Sequence, residues 1–183
     1  AVMVSAHMAN WEVMSLCVAA RAPDCTTVVR NPNNPLVRGL LERRRGLWGQ
    51  RRVPKGADGA RAAIAALKRR GLLAMLIDQR MSDGVAVPFF GYRAMTAAAP
   101  AQLALRYHTR VHPVRLERTG PARFRMTIAP ALAMPTEGSR DDRVLDVMTR
   151  LNAQLEAWIR AKPEEWLWLH RRWPKELYRK LDA

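Results

Sequence analysis

His7-Met8-Ala9-Asn10-Trp11-Glu12 sets an imidazole and a carboxylate five residues apart, where an apolar stretch gives way to a helical one. A neutral histidine, with an ordinary pKa of about 6.5, can take a proton near neutral pH. A carboxylate behind it fixes the tautomer and stabilises the imidazolium. On a single helix the two side chains would diverge by roughly 140°, so they meet only if His7 lies on the turn before the helix. There Glu12 would accept from one ring nitrogen and leave the other open toward a substrate hydroxyl. The sequence contains no Gly-x-Ser-x-Gly nucleophile elbow, so the nucleophile would be the substrate's own oxygen. The same spacing also fits a helix-capping histidine beside a surface glutamate.

Five further groups carry chemical potential. Arg30 ends a β-branched stretch and precedes Asn31-Pro32-Asn33-Asn34-Pro35, in which Asn34 is the expected helix cap and the helix start offers N–H groups to an anion. Arg38, Arg43, Arg44, Arg45, Arg51, Arg52 and Lys55, with Glu42 the one acid among them, suit a phosphate or an acidic carrier protein, or a solvated helix end. Asp78-Gln79-Arg80 follows a continuous apolar run, a costly place for an unpaired charge. Pro88-Phe89-Phe90-Gly91 has neither helix nor strand period and fits an acyl-chain wall or plain core. The segment from Glu165 to Trp173 mixes three tryptophans with basic residues, as at a membrane interface or a packed chain end. His108 and His112 read as structural.

The elements that position these groups follow from periodicity. Strands are expected over Val2 to Ala6, Thr26 to Arg30, Trp48 to Val53 and Leu72 to Ile77, the last a run typical of a parallel strand buried on both faces. Helices are expected over Asn10 to Ala20, from Pro35 to Gly46 with a Leu36, Val37, Leu40 and Leu41 stripe, over Asp58 to Arg70, and over Ala97 to Tyr107. Val111 to Leu116 and Phe124 to Ile128 alternate as a hairpin around Gly120-Pro121. Ser139 and Asp142 have capping-box spacing and open a long helix that ends before Pro163. Alternating strands and helices predict an α/β fold with a mostly parallel central sheet flanked by helices. Ligands of such sheets bind beyond the carboxyl ends of strands, where His7, Arg30 and Asp78 fall.

Composition sets the outer bounds. The 183 residues suit one domain, 1–183, and 49% are hydrophobic, which excludes a disordered chain. Against 16 acidic residues stand 31 Lys and Arg, a formal charge of +15, so the partner is anionic: a lipid surface, a phosphorylated lipid, an acidic carrier or nucleic acid. No helix-turn-helix, zinc-finger or RNA-recognition pattern favours nucleic acid. Cys17 and Cys25 are too few for a disulfide framework or a four-cysteine zinc site, and Cys17 reads as a small buried hydrophobe. The chain opens on a core strand, so an N-terminal segment is expected to be missing from it.

Five motifs, in order, resemble the bacterial lipid A late acyltransferases of the lysophospholipid-acyltransferase-like superfamily. They are His7-x4-Glu12, Arg30 with Asn34-Pro35, Asp78-Gln79, Val87-Pro88-Phe89-Phe90-Gly91 with Thr96, and Pro163-Glu164-Glu165-Trp166-Leu167-Trp168-Leu169-His170-Arg171-Arg172-Trp173. The resemblance implies a glycerolipid-acyltransferase-like fold, an acyl carrier protein thioester as donor, and a hydroxyl of a phosphorylated glucosamine lipid as acceptor. It implies His7 and Glu12 as a general-base dyad, with Arg30, Asp78, Gln79 and Thr96 at the substrate. A functional arginine near the end of the second helix falls on Arg44, or in the adjacent register on Arg45. No cofactor or metal is called for, and the inner membrane, at its cytoplasmic face, is the expected place of work. The glycerol-phosphate branch carries Phe-Pro-Glu-Gly-Thr-Arg-Ser where this chain reads Val-Pro-Phe-Phe-Gly-Tyr-Arg, which argues against a glycerolipid acceptor and leaves other glycolipids, such as mannosylated inositol lipids, open.

Overall fold

The computed structural model describes residues 1–29, 32–46, 51–54 and 56–181, with the side chains of 44–46 and 180–181 outside the description. In chain order the elements are β1 (Val2–Ser5), α1 (Trp11–Arg21), β2 (Thr26–Val29), α2 (Pro35–Gly46), β3 (Arg51–Pro54), α3 (Ala57–Lys68) and β4 (Leu73–Leu76). They continue through β5 (Val85–Phe89), β6 (Tyr92–Thr96), α4 (Ala99–Arg106), β7 (Val111–Gly120), β8 (Arg123–Ile128), α5 (Arg140–Ala161) and α6 (Lys175–Leu181), with a 3-10 turn at Pro163–Glu165 before α6.

Six strands form one sheet in the order β3-β2-β4-β1-β7-β8. The pairings of β1, β2, β3, β4 and β7 are parallel, and β8 returns antiparallel to β7. This is the predicted α/β architecture. β1 lies between β4 and β7, and all four of its residues are buried, as expected of a strand covered on both faces.

The two faces are covered unequally. Val2, Val4, Leu73 and Val111 pack with Ala63 and Leu67 of α3, Ala101 and Ala104 of α4, and Val147, Leu151 and Leu155 of α5. The opposite face contributes Met3 and Val114 to a smaller cluster with Val18 of α1 and Cys25. One side is thus a deep core under three helices, while the other is roofed by α1, of whose residues only Val18 is fully buried. Cys17, expected inside, is half-buried, and Cys25 is the enclosed thiol.

Local chemistry explains several boundaries. Asn34 Oδ1 accepts from the N–H groups of Leu36 (2.9 Å) and Val37 (3.3 Å), capping α2 ahead of Pro35. The α2 stripe, however, faces outward: Leu36, Val37 and Leu40 are exposed, Leu36 by 82%. Residues 85–96, within which Pro88-Phe89-Phe90-Gly91 has no period in sequence, form a hairpin with Phe89 opposite Tyr92. Its two-residue turn, Phe90-Gly91, has φ of 52° and 79°, the positive pair that suits strand twist. An aromatic residue tolerates this poorly. Here the Phe90 N–H donates to Glu156 Oε2 (2.6 Å), and the Arg160 guanidinium covers its ring at 4.7 Å.

α5 starts on the predicted capping box. The Asp142 N–H donates to Ser139 Oγ, and the Ser139 N–H donates to Asp142 Oδ2, both at 3.1 Å. Because α5 supplies much of the deep core, Ser139→Ala is expected to lower global stability by about 0.5–2 kcal/mol, read as a reduced urea midpoint with an unchanged slope.

Candidate active site

The register between β1 and β4 brings the reactive pair together. Val2 lies opposite Leu73 and Ser5 opposite Leu76, and the Ile77 N–H still donates to the Ser5 carbonyl at 3.1 Å. Two residues further, past the carboxyl ends of both strands, His7 meets Asp78. Its Nδ1 lies 2.7 Å from Asp78 Oδ1, and its backbone N–H donates to Asp78 Oδ2 at 3.1 Å. The Trp166 indole N–H also donates to Oδ2, at 2.9 Å.

Asp78 is almost completely buried, with 3% of its surface exposed. Burial pushes its carboxyl pKa up. The hydrogen bond and charge of His7, the Trp166 indole and the His7 backbone N–H outweigh that and hold it below the usual carboxylate value. An ionised carboxylate can only accept. Nδ1 must therefore carry the proton, and the lone pair of a neutral His7 lies on Nε2. The Gln79 amide nitrogen approaches Nε2 at 3.4 Å, a long contact that a hydroxyl can replace.

The carboxylate on Nδ1 is therefore Asp78, where sequence analysis placed Glu12. Glu12 is the second residue of α1, and the side chain that packs on the imidazole from this helix is Trp11, edge-on with ring centroids 5.1 Å apart. Glu12 instead joins the wall of the cavity onto which His7 opens. That cavity holds about 390 Å³ between α1 and the more thinly covered face of the sheet. Met3, Met14, Val18, Ala74 and Val114 give it an apolar lining. His7, Glu12, Gln79, Asn33, Arg52 and His170, with Ser5, Ser15 and Thr27, supply the polar groups.

The other expected residues divide. Gln79 is in the cavity wall beside His7. Arg30 lies outside the described residues, as do the side chains of Arg44 and Arg45, whose backbone belongs to α2. Thr96 is not in the cavity wall. It is fully buried, and its Oγ1 accepts from Asn152 and Arg172 while donating to the Ala94 carbonyl. It ties the β5–β6 hairpin to α5 and the C-terminal segment. Phe89 and Phe90 likewise pack against Trp166 and Trp173 as core. Sequence reasoning did not single out Trp166, Arg52 or His170. The first was signalled only as part of the tryptophan-rich segment, the second as one arginine among six.

Comparison with protein families matches residues 1–175 to the family described as bacterial lipid A biosynthesis acyltransferase. The chain belongs to that family. Membership makes it an acyltransferase, and the predicted fold class and family both stand. Comparison with curated proteins returned no match. In this family member, among the described residues, no helix is long and apolar enough to cross a membrane, and no cluster of three or more His, Cys, Asp or Glu is placed to bind a metal ion.

The pairing predicts a pH signature. Asp78 has a folded pKa below its unfolded value of about 3.9. Its contribution to stability is therefore full above roughly pH 4 and is lost as pH falls through the folded value. Urea denaturation of wild type and Asp78→Asn across pH should show the largest stability gap above about pH 4, shrinking with added acid. In an acyl-transfer assay the same variant should lose about 10²–10⁴-fold in kcat, because the amide no longer fixes the histidine tautomer.

Proposed function

We propose that this acyltransferase moves a fatty acyl chain from an acyl carrier protein thioester to a hydroxyl of a lipid A precursor, with His7 as general base and Asp78 as its orienting carboxylate. The observation that carries this reading is the His7–Asp78 pair at the mouth of an apolar cavity. In the reaction the acceptor hydroxyl approaches Nε2, which takes its proton as the oxygen attacks the thioester carbonyl. The tetrahedral intermediate collapses, the carbon–sulfur bond breaks, and the leaving sulfur recovers the proton from the imidazolium. The products are an ester and the free carrier thiol. Asp78 stabilises the imidazolium between these two steps. The Gln79 amide, beside Nε2, is placed to donate to the developing oxyanion.

Substrate chemistry matches the walls. Met3, Met14, Val18 and Val114 suit a hydrocarbon chain, and Arg52 and His170 suit a phosphate or the polar end of the donor. The formal charge of +15 fits an acidic carrier and a phosphorylated acceptor at an anionic inner-membrane surface. Two exposed apolar stretches lie close in the chain to residues of the cavity lining. Leu36, Val37 and Leu40 follow the wall residues Pro32 and Asn33, and Leu167, Trp168 and Leu169 precede His170. Arg38 and Arg43 lie on the same helix as the first stretch, the composition of a helix seated at a bilayer interface.

Mass spectrometry of lipid A from cells carrying wild type or His7→Ala tests the reaction. Wild type is expected to add one acyl group, and the variant to lower the transfer rate by about 10²–10⁴-fold; undiminished acylation would contradict the mechanism. Leu36→Ser with Leu40→Ser is expected to weaken sedimentation with anionic phospholipid vesicles while leaving the melting temperature within a few degrees of wild type, because both side chains are already in solvent.

A further inference from the structure

We infer that Trp166 is a positioning residue that sets the strength and direction of Asp78's hold on His7. The inference rests on His7 being the base. Trp166 is not in the cavity wall, so it acts through the pair rather than on substrate.

The segment around this residue and its side chain are both committed to the catalytic pair. Trp166 forms an isolated bridge with Met8, flanked by the Leu167 N–H donating to the His7 carbonyl (2.8 Å) and the Ala9 N–H donating to the Glu165 carbonyl (2.7 Å). The loop it braces is a demanding one, since Ala9 has φ of 49°. From the same residue the indole N–H reaches Asp78 Oδ2 at 2.9 Å. Thus the backbones of Glu165 and Leu167 hold the chain that carries His7, and the indole between them holds the carboxylate that His7 must face. The indole cannot swing away easily. It stacks on Trp168 (5.4 Å, 10°) and Phe90 (6.2 Å, 12°), with the edge contact of Phe89 at 5.9 Å.

The indole proton shares the negative charge of Asp78 with His7. Without it, Oδ2 keeps, among the described residues, only the His7 backbone N–H. A carboxylate with one fewer donor is more basic and pulls harder on an imidazolium. The other charges around the pair are few. Arg172, buried behind the hairpin and still cationic at neutral pH, acts on Asp78 from the C-terminal segment. Glu12, Arg52 and His170 share the cavity wall with His7. Trp166→Phe changes none of them, so it isolates the N–H donor.

The test is a comparison of wild type, Trp166→Phe and His7→Ala in the acyl-transfer assay, with His7 followed by NMR titration in the first two. Trp166→Phe is expected to lower kcat about tenfold with KM within about twofold, as for other loss of an outer hydrogen-bond partner. The acid limb of kcat/KM and the NMR midpoint of His7 are expected to rise by about half a pH unit or more. An unmoved or lowered midpoint, or a rise in KM alone, overturns the inference. If Trp166→Phe does not fold, site-specific benzothienylalanine, which keeps the ring shape and replaces N–H by sulfur, is measured in its place with the same expectations. If His7→Ala retains wild-type transfer, the general-base reading fails by itself, and the NMR midpoint alone then decides whether Trp166 tunes the pair.

Discussion

A single cross-strand hydrogen bond, His7 Nδ1 to Asp78 Oδ1, is the constraint on which the site depends. It is a consequence of sheet register. Once Ser5 lies opposite Leu76, the residues two positions beyond must face each other past the strand ends. A slip of one residue would turn every side chain of β1 to the other face of the sheet and separate the pair. The deep core that fixes β1 between β4 and β7 is thus also what fixes the reactive nitrogen.

The unequal covering of the sheet completes the arrangement. Helices α3, α4 and α5 close one face with buried aliphatic side chains. On the other face α1 stands over Met3, Ala74 and Val114 with Met14 and Val18, leaving about 390 Å³ between them. Stability and ligand space are assigned to opposite sides of one sheet. His7, at the junction of β1 and α1, opens into the cavity while its backbone stays tied to the C-terminal segment.

Much of the fold was legible in the sequence because it rests on local signals. The apolar runs at Val2 and Leu73, the Asn34-Pro35 cap, the Gly120-Pro121 hairpin and the Ser139–Asp142 box all appear where spacing placed them. The hairpin at residues 85–96 escaped because Pro88 interrupts a strand pattern and Phe90 takes a turn conformation usually left to smaller residues. In the site, His7 and Asp78 were both singled out from sequence, but not their contact. Glu12 was the nearer acid in sequence, whereas the partner lies 71 residues away and is found only through strand pairing. Trp166, 88 residues from Asp78, carries no local mark of its role. Thr96 is placed differently. A residue belonging to a family motif holds the hairpin, α5 and Arg172 together rather than facing the cavity.

The proposed mechanism turns on which ring nitrogen of His7 bears the proton, since a buried, ionised Asp78 forces it onto Nδ1 and leaves the lone pair on Nε2. Nitrogen-15 NMR of the histidine-labelled protein, above the pH at which His7 deprotonates, reads this directly. A protonated Nδ1 and a bare Nε2 are predicted for His7 in wild type. A proton on Nε2 would contradict the account, because no base would then face the acceptor.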